Sequence, residues 1–520
     1  MSSLQNNKKT LIGVLLQSPM WIVSIVGIWM ALKNIIYSFC SVTVTSGGIK
    51  LRFIGLENYI ELFTCDPSTI PLIADTFTNL IVALILCIGV IVSALFISKL
   101  KSVFGMITIA VLSLCSLTAC FVAFPFYAFN SSSYGYINSF YLLMGVLKEP
   151  VDWFNTSGNS IYLMFGILSI VSPIFLITYF FAKRGKKTLG VILSVCAMPV
   201  LLAVAEGMGS GSLPIVKIIQ IKGLSGQIDY PSAIWVIAML MFVIWCAVTG
   251  GIIFGVSRLI KLIKLPQGLI KVAGYILFAV SVLNSFVYLF LYFILMANNS
   301  FKPTDEFFLI PQSYFVKRPT FSGFEYIFNA YGEYLSENIV GNILSVFLIA
   351  LICMLAVVPA AAGLAVLQNK KLKVVLPLCL LPVLGFIPFP HLFYSDTSIA
   401  AGAFLSGAGF ITVFIIGYIL TKLTFATKSN RIIKIVLSVL CVVSTAILFA
   451  VATVNFNVNI VSNYLEMYSQ TGNIAPAFAG EFLQLLVILS LAIVPTALFI
   501  AVYILSKKKP KEIEKVKSED

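Results

Sequence analysis

Along most of the chain the apolar residues come in long unbroken runs, not in the alternating or 3.6-residue patterns of half-buried elements. About 20 consecutive apolar residues form a helix long enough to cross the hydrocarbon of a bilayer. Such runs lie near 11–37, 79–98, 103–127, 161–182, 188–205, 233–257, 272–297, 342–367, 374–393, 399–421, 432–454 and 478–506. They predict an all-α polytopic membrane protein of about twelve transmembrane helices. Pro173 and Pro199 fall inside predicted spans, where bilayer helices tolerate proline if neighbours satisfy the freed carbonyls. The polar segments between runs are of two kinds. Short ones are basic. Long ones, at 38–75, 128–160, 206–232, 298–341 and 455–477, carry the acidic residues. Two stretches in the long segments, around Tyr59 and Tyr326, are amphipathic and are expected to lie along the membrane surface.

The charge pattern orients the spans. The short segments carry Lys99, Lys101, Lys183, Arg184, Lys186, Lys187, Arg258, Lys261, Lys264, Lys271, Lys370, Lys371, Lys373, Lys422, Lys428, Arg431 and Lys434. Lys8, Lys9 and the lysines after Ser506 fall on the same side. Basic residues are retained on the cytoplasmic side, so both termini are expected there, in a multi-pass plasma-membrane protein. Composition agrees: 60% of the 520 residues are hydrophobic and 10% charged, against about 25% charged in soluble domains. The net charge of +14 is then topology rather than a nucleic-acid footprint. The lipid bilayer is the partner that the residues themselves imply.

Catalytic chemistry finds no foothold. His391 is the single histidine, and no Cys/His cluster or CxxC suggests a metal or cofactor. The expectation is a non-enzyme without cofactors. Of ten cysteines, Cys40 and Cys65 share one outer segment, and a disulfide between them is left open.

An internal repeat divides the chain. FIGLENYIELF (53–63) follows the first span and FSGFEYIFNAY (321–331) follows the seventh. Each is followed by a helix opening on an asparagine, Asn79 and Asn342. This predicts two six-helix halves, 1–260 and 272–506, a cytoplasmic linker at 261–271 and a charged tail at 507–520.

These residues also carry a resemblance. FIGLENYIELF, and YGYINSFYLLMGVLKEPVDWF with Gly135, Asn138, Pro150 and Trp153 in the order GxxN…PxxW, are similar to one permease subunit of carbohydrate-uptake ABC importers, the maltose-type family. SFKPTDEFFLIPQSYFVKRPTFSGFEYIF (300–328) resembles the outer segment of the partner subunit. The chain thus looks like both subunits fused, and the resemblance covers nearly all of it. It implies solute uptake, of a sugar or oligosaccharide, with an extracellular solute-binding lipoprotein in a bacterial plasma membrane. It also implies that Tyr59, Trp153 and Tyr326 belong to a surface that docks an outer partner.

One family feature is missing. Such permeases hold a cytoplasmic coupling helix with an E-A-A…G signature between the fourth and fifth core helices, through which the ATPase subunit acts. Here those positions hold KRGKK, with Lys183, Arg184, Lys186 and Lys187, and TKLTFATKSNRIIK, with Lys428 and Arg431. Neither contains Glu, an Ala pair or an amphipathic stretch of helix length, and the first is too short to hold a docking helix. A non-transporting scaffold or receptor that keeps the permease fold to dock an extracellular or glycan-handling partner is the alternative. Glu206, in LLAVAEGMGSGSLP, and Asn455, in VATVNFNVNIVSN, mark the outer ends of the two fifth helices. They are candidate substrate-pathway residues, with outer-rim structure as the other reading.

Overall fold

A computed structural model describes residues 11–45, 48–121, 136–151, 153–207, 214–215, 218–219, 228–260, 266–311, 313, 315–329, 347, 350–351, 354–355, 357–365, 408–426, 430–457 and 475–507. The elements are α1 (Ser18–Ser38), β1 (Cys40–Thr45), β2 (Gly48–Phe53), α2 (Glu57–Thr64), α3 (Thr69–Ile97) and α4 (Ser102–Phe121). Next come α5 (Tyr136–Leu143), α6 (Trp153–Lys183), α7 (Lys187–Gly207), α8 (Asp229–Ile260), α9 (Gln267–Ser300) and α10 (Thr304–Phe307). Helices α11 (322–329) and α12 (357–365) follow, then α13 (Ala408–Ala426), α14 (Arg431–Asn457) and α15 (Ala475–Lys507). The protein is a membrane-embedded helical bundle. Among the described residues, five helices are long and apolar enough to cross a membrane: Thr69–Ile97, Asp229–Val256, Gln267–Ser300, Arg431–Leu448 and Ala475–Ser506. The predicted span at 374–393, and His391 with it, lies outside the described residues.

Inside a bilayer, apolar surface gains nothing by leaving lipid, so helices associate through close packing of small residues and through hydroxyl bonds. Both devices recur. Thr178 Oγ1 meets Ser194 Oγ at 2.7 Å and joins α6 to α7. Thr424 Oγ1 meets Ser438 Oγ at 2.9 Å and joins α13 to α14. Ser113 and Ser172 join α4 to α6 at 2.7 Å, and the Trp245 indole of α8 donates to the Val195 carbonyl of α7 at 3.1 Å. One contiguous core threads α3, α6, α7 and α8 together with α12, α13, α14 and α15.

Two glycines permit approaches between segments distant in sequence. A Cβ on Gly363 of α12 would lie 2.6 Å from the Gly13 carbonyl oxygen and 3.0 Å from Leu16 Cβ. A Cβ on Gly274 of α9 would lie 3.1 Å from the Phe96 carbonyl oxygen of α3. The start of the chain thus packs on α12, while α9 packs on α3.

Among the described residues the all-α expectation meets one exception, the antiparallel β1–β2 hairpin, paired from Cys40↔Phe53 to Thr45↔Gly48. Its strands, CSVTVT and GIKLRF, alternate apolar and polar residues and are rich in β-branched types, the pattern of a two-faced strand. Cys40 and Cys65 are both free thiols. Cys40, the first residue of β1, is buried and Cys65 is exposed past the end of α2, and no disulfide joins them in the structure.

Candidate functional site

The bundle has a basic end and a hairpin end, and the residues singled out in the sequence divide between them. At the basic end α6 and α7 are joined by residues 184–186 alone. Gly185 takes φ +79°, a left-handed conformation that closes the helix with little cost to glycine. Directly after the turn Gly190 touches α6. A Cβ there would sit 2.9 Å from Phe181 Cβ and 3.1 Å from the Thr178 carbonyl oxygen. On the other side of this end α13 ends at Ala426 and α14 starts at Arg431. Asn430 there takes φ +50°.

The basic side chains of these turns bond back onto the bundle. Lys183 Nζ donates to the carbonyls of Ser98 at 3.0 Å and Leu100 at 2.6 Å. It thereby satisfies acceptors just beyond the C-terminus of α3, where a cation is favoured. The Arg184 guanidinium lies 4.0 Å from the Phe180 ring centroid and 5.7 Å from that of Tyr418. Its Nη1 donates to the Tyr418 hydroxyl at 3.3 Å. Lys422 stands 5.9 Å from the same Tyr418 ring. The first turn is therefore tied by a cation–aromatic cluster to α13, which precedes the second turn. Arg431 caps the other side, 4.5 Å from the Phe425 ring. Burial and then the charge of Lys99 hold Lys187 below the ordinary lysine range. Lys186 is exposed. Lys428 lies outside the described residues.

At the hairpin end two polar knots hold the connecting segments. In the first, Asn58 Nδ2 donates to the carbonyls of Ser38 and Cys40, both at 3.0 Å. The Tyr59 hydroxyl donates to Ser38 Oγ at 2.8 Å, and its ring leans on Phe39. Val42 N–H donates to Asp229 Oδ2 at 3.2 Å, and the Tyr230 hydroxyl donates to Asp66. The hairpin and α2 are thus fastened to the end of α1 and the start of α8.

The second knot occupies 301–329. Lys302 is fully buried; its Nζ donates to the Ser313 carbonyl at 2.8 Å and lies 5.4 Å from the Phe307 ring. Burial pulls its pKa down to about 8, against the upward pull of Glu306. Glu306, also buried, accepts from the backbone N–H groups of Lys317 at 3.1 Å and Arg318 at 3.0 Å. Arg318 pairs with Asp305. The Phe307 and Phe478 rings stack at 5.1 Å. A Cβ on Gly323 of α11 would come within 2.8 Å of the Ala475 carbonyl oxygen. This fastens the segment to the start of α15.

The sequence-predicted residues are distributed accordingly. Lys183, Arg184, Lys187 and Arg431 gather at the basic end. Tyr59 belongs to the first knot and has its hydroxyl engaged within the chain. Tyr326 sits on α11, partly exposed. Trp153 opens α6, and Glu206 and Asn455 fall in the last turns of α7 and α14. The side chains of these three lie outside the described part. Sequence reasoning missed Tyr418, which reads as one more aromatic in an apolar run. It also missed Glu481, a buried carboxylate on α15 that accepts from the Tyr292 hydroxyl at 3.2 Å. Glu481 stands near the start of the last apolar run, and a carboxylate at that depth was a detectable signal. Among the described residues no group of His, Cys, Asp and Glu is placed to hold a metal.

Compared with protein-family models, with curated proteins and with solved structures, the chain matches none.

Proposed function

We propose that this chain is a fused pair of carbohydrate-importer-type permease subunits in a bacterial plasma membrane. It carries about twelve spans and has both termini in the cytoplasm. In this reading it serves sugar or oligosaccharide uptake with an extracellular solute-binding lipoprotein, without ATPase coupling through the usual loops. The observation that carries the reading is the matched packing of the two expected halves. The start of the first half meets α12 through Gly13 and Gly363, and the first helix of the second half meets α3 through Gly274 and Phe96. The fourth and fifth helices of each half share one hydroxyl pair, Thr178–Ser194 and Thr424–Ser438. The outer segment of each half is fastened to the start of its last helix, by Asp229 and Tyr230 in one and by Phe478 and Ala475 in the other. Glu206 and Asn455, at the ends of the two fifth helices, are the pathway candidates of this reading.

A second reading, a scaffold or receptor that moves nothing, is favoured by the basic end. Residues 184–186 cannot hold a docking helix, since one turn needs 3.6 residues. Arg184, moreover, is engaged with Tyr418.

Affinity purification of the tagged chain from membranes, paired with uptake of labelled oligosaccharide by cells with and without it, separates the readings. Uptake that depends on the chain, with an outer binding protein recovered, supports the first. Unchanged uptake with only an outer protein recovered leaves the second. A stoichiometric ATPase in the eluate overturns the loss of coupling in both.

A further inference from the structure

The first connecting segment carries a large apolar surface that the bundle does not cover. Leu51, Phe53, Leu56, Ile60 and Phe63 are between 48% and 76% exposed. They are ordered by secondary structure. In the hairpin, cross-strand partners share a face: Leu51 and Phe53 stand with Val42 and Cys40, while Ser41, Thr43, Lys50 and Arg52 stand on the other. On α2 the helical period separates three sectors. Asn58 and Leu62 are buried against the bundle. Glu57 and Glu61, four apart, are exposed. Leu56, Ile60 and Phe63 form the third sector, apolar and exposed.

The depth of this surface follows from its anchors. The first apolar run of the sequence, 11–37, ends with α1, which places Ser38, the last residue of that helix, where the chain leaves the hydrocarbon. Lys33, five residues earlier in α1, marks the same level, since a lysine near a span end reaches for the headgroups. Asn58 and Tyr59 bond to Ser38, so α2 is held at that depth.

We propose that the hairpin and α2 form an interfacial device, with Leu51, Phe53, Leu56, Ile60 and Phe63 seated in the lipid at the hairpin end of the bundle. Three sectors around α2 match three surroundings: protein against Asn58 and Leu62, water over Glu57 and Glu61, and acyl chains under Ile60 and Phe63. Lys50 and Arg52 stand at headgroup level, where phosphates are their natural counter-ions. Each side chain at such a boundary keeps a favourable medium, so the surface needs no protein partner to cover it. The inference depends on the membrane-embedded fold and not on uptake or scaffolding.

Photo-crosslinking in the full-length protein in native membranes tests it. Benzoylphenylalanine replaces Phe53, Ile60, Phe63 or, as the water-side control, Glu61. Phospholipid adducts at 53, 60 and 63, severalfold above position 61, are expected. Protein adducts at these positions, equal lipid yield at 61, or no lipid adduct at all overturns the proposal. A second reading comes from Phe53→Trp and Thr43→Trp proteins in vesicles with bromine on the acyl chains. The added tryptophan at 53 is expected to be quenched and the one at 43 spared. Equal quenching of the two overturns the assignment of faces.

Discussion

Lys302 and Glu306 show how a connecting segment is held by charges taken out of water. Burial pulls Lys302 down to about 8 from its ordinary 10.5. Between those values the unfolded segment keeps a proton that the folded one has released. The buried amine therefore costs stability that is recovered as pH rises through that window, and below it the cost is constant. Amide exchange at residues 315–318, corrected for intrinsic rates, is expected to show protection growing from pH 8 toward 10. The Lys302→Met protein is expected to lose that dependence, and a slope unchanged by the substitution would show the titrating group to be another. Glu306→Ala leaves the amides of Lys317 and Arg318 without their acceptor. About 1–3 kcal/mol of local stability is at stake, readable as faster exchange at these two amides. Lys302 and Glu306 stood in the sequence within the stretch 300–328 that carries a resemblance; that they bind their own segment together was not visible there. A lysine's partner 11 residues away, the Ser313 carbonyl, is a property of the fold. Glu481 escaped for the opposite reason: a single carboxylate barely dents the average of an apolar run.

Among the described residues, the five helices long and apolar enough to cross a membrane each fall on an apolar run of the sequence, because hydrocarbon requires backbone polar groups to be satisfied within each segment. What the runs did not show is where helices continue beyond the apolar stretch. Helix α3 begins at Thr69, ten residues before the apolar run, and α6 at Trp153. Polar residues extend a helix as readily as apolar ones once a neighbour packs against them. The hairpin was hidden inside an outer segment whose alternation is only six residues long per strand. Helix pairing was hidden too, since glycine is frequent in spans and only the fold distinguishes Gly363 or Gly274 from the rest. Gly363→Val places methyl groups against the Gly13 carbonyl, which cannot retreat as a flexible side chain would. Overpacking of this kind costs about 1–3 kcal/mol. The expected result is a lower melting temperature in detergent. Gly251→Val, at a position with open space around it, serves as the control. Equal melting of the two variants would remove the close approach from the account.

For the molecule as a whole, charge placement was the most informative feature of the chain. Of the residues that set the expected orientation in the sequence, Arg184 lies over Phe180 and Tyr418, Arg431 over Phe425, and Lys183 bonds to the carbonyls of Ser98 and Leu100, all at one end. Acidic residues of the long segments, Asp66, Asp229, Asp305 and Glu306, meet partners at the other. A cysteine placed at Lys186 is expected to react with a membrane-impermeant maleimide only in inside-out vesicles, and one at Glu57 only in intact cells. The reverse result would invert the molecule. The link between Arg184 and Tyr418 was beyond any local pattern, with 234 positions between them. It joins the first of the two turns where the resemblance led one to expect docking helices to α13, the helix that precedes the second.

The hairpin's register carries a consequence for sequence change. Its two faces are defined by parity alone, with Leu51 and Phe53 at odd positions and Lys50 and Arg52 at even ones. A single-residue insertion or deletion within Gly48–Phe53 exchanges the faces, turning cations toward oil and phenylalanine toward water. A change of two residues restores them. Length variation in this strand is therefore tolerable in pairs and penalised in ones, a counting rule imposed by the membrane on a strand that does not cross it.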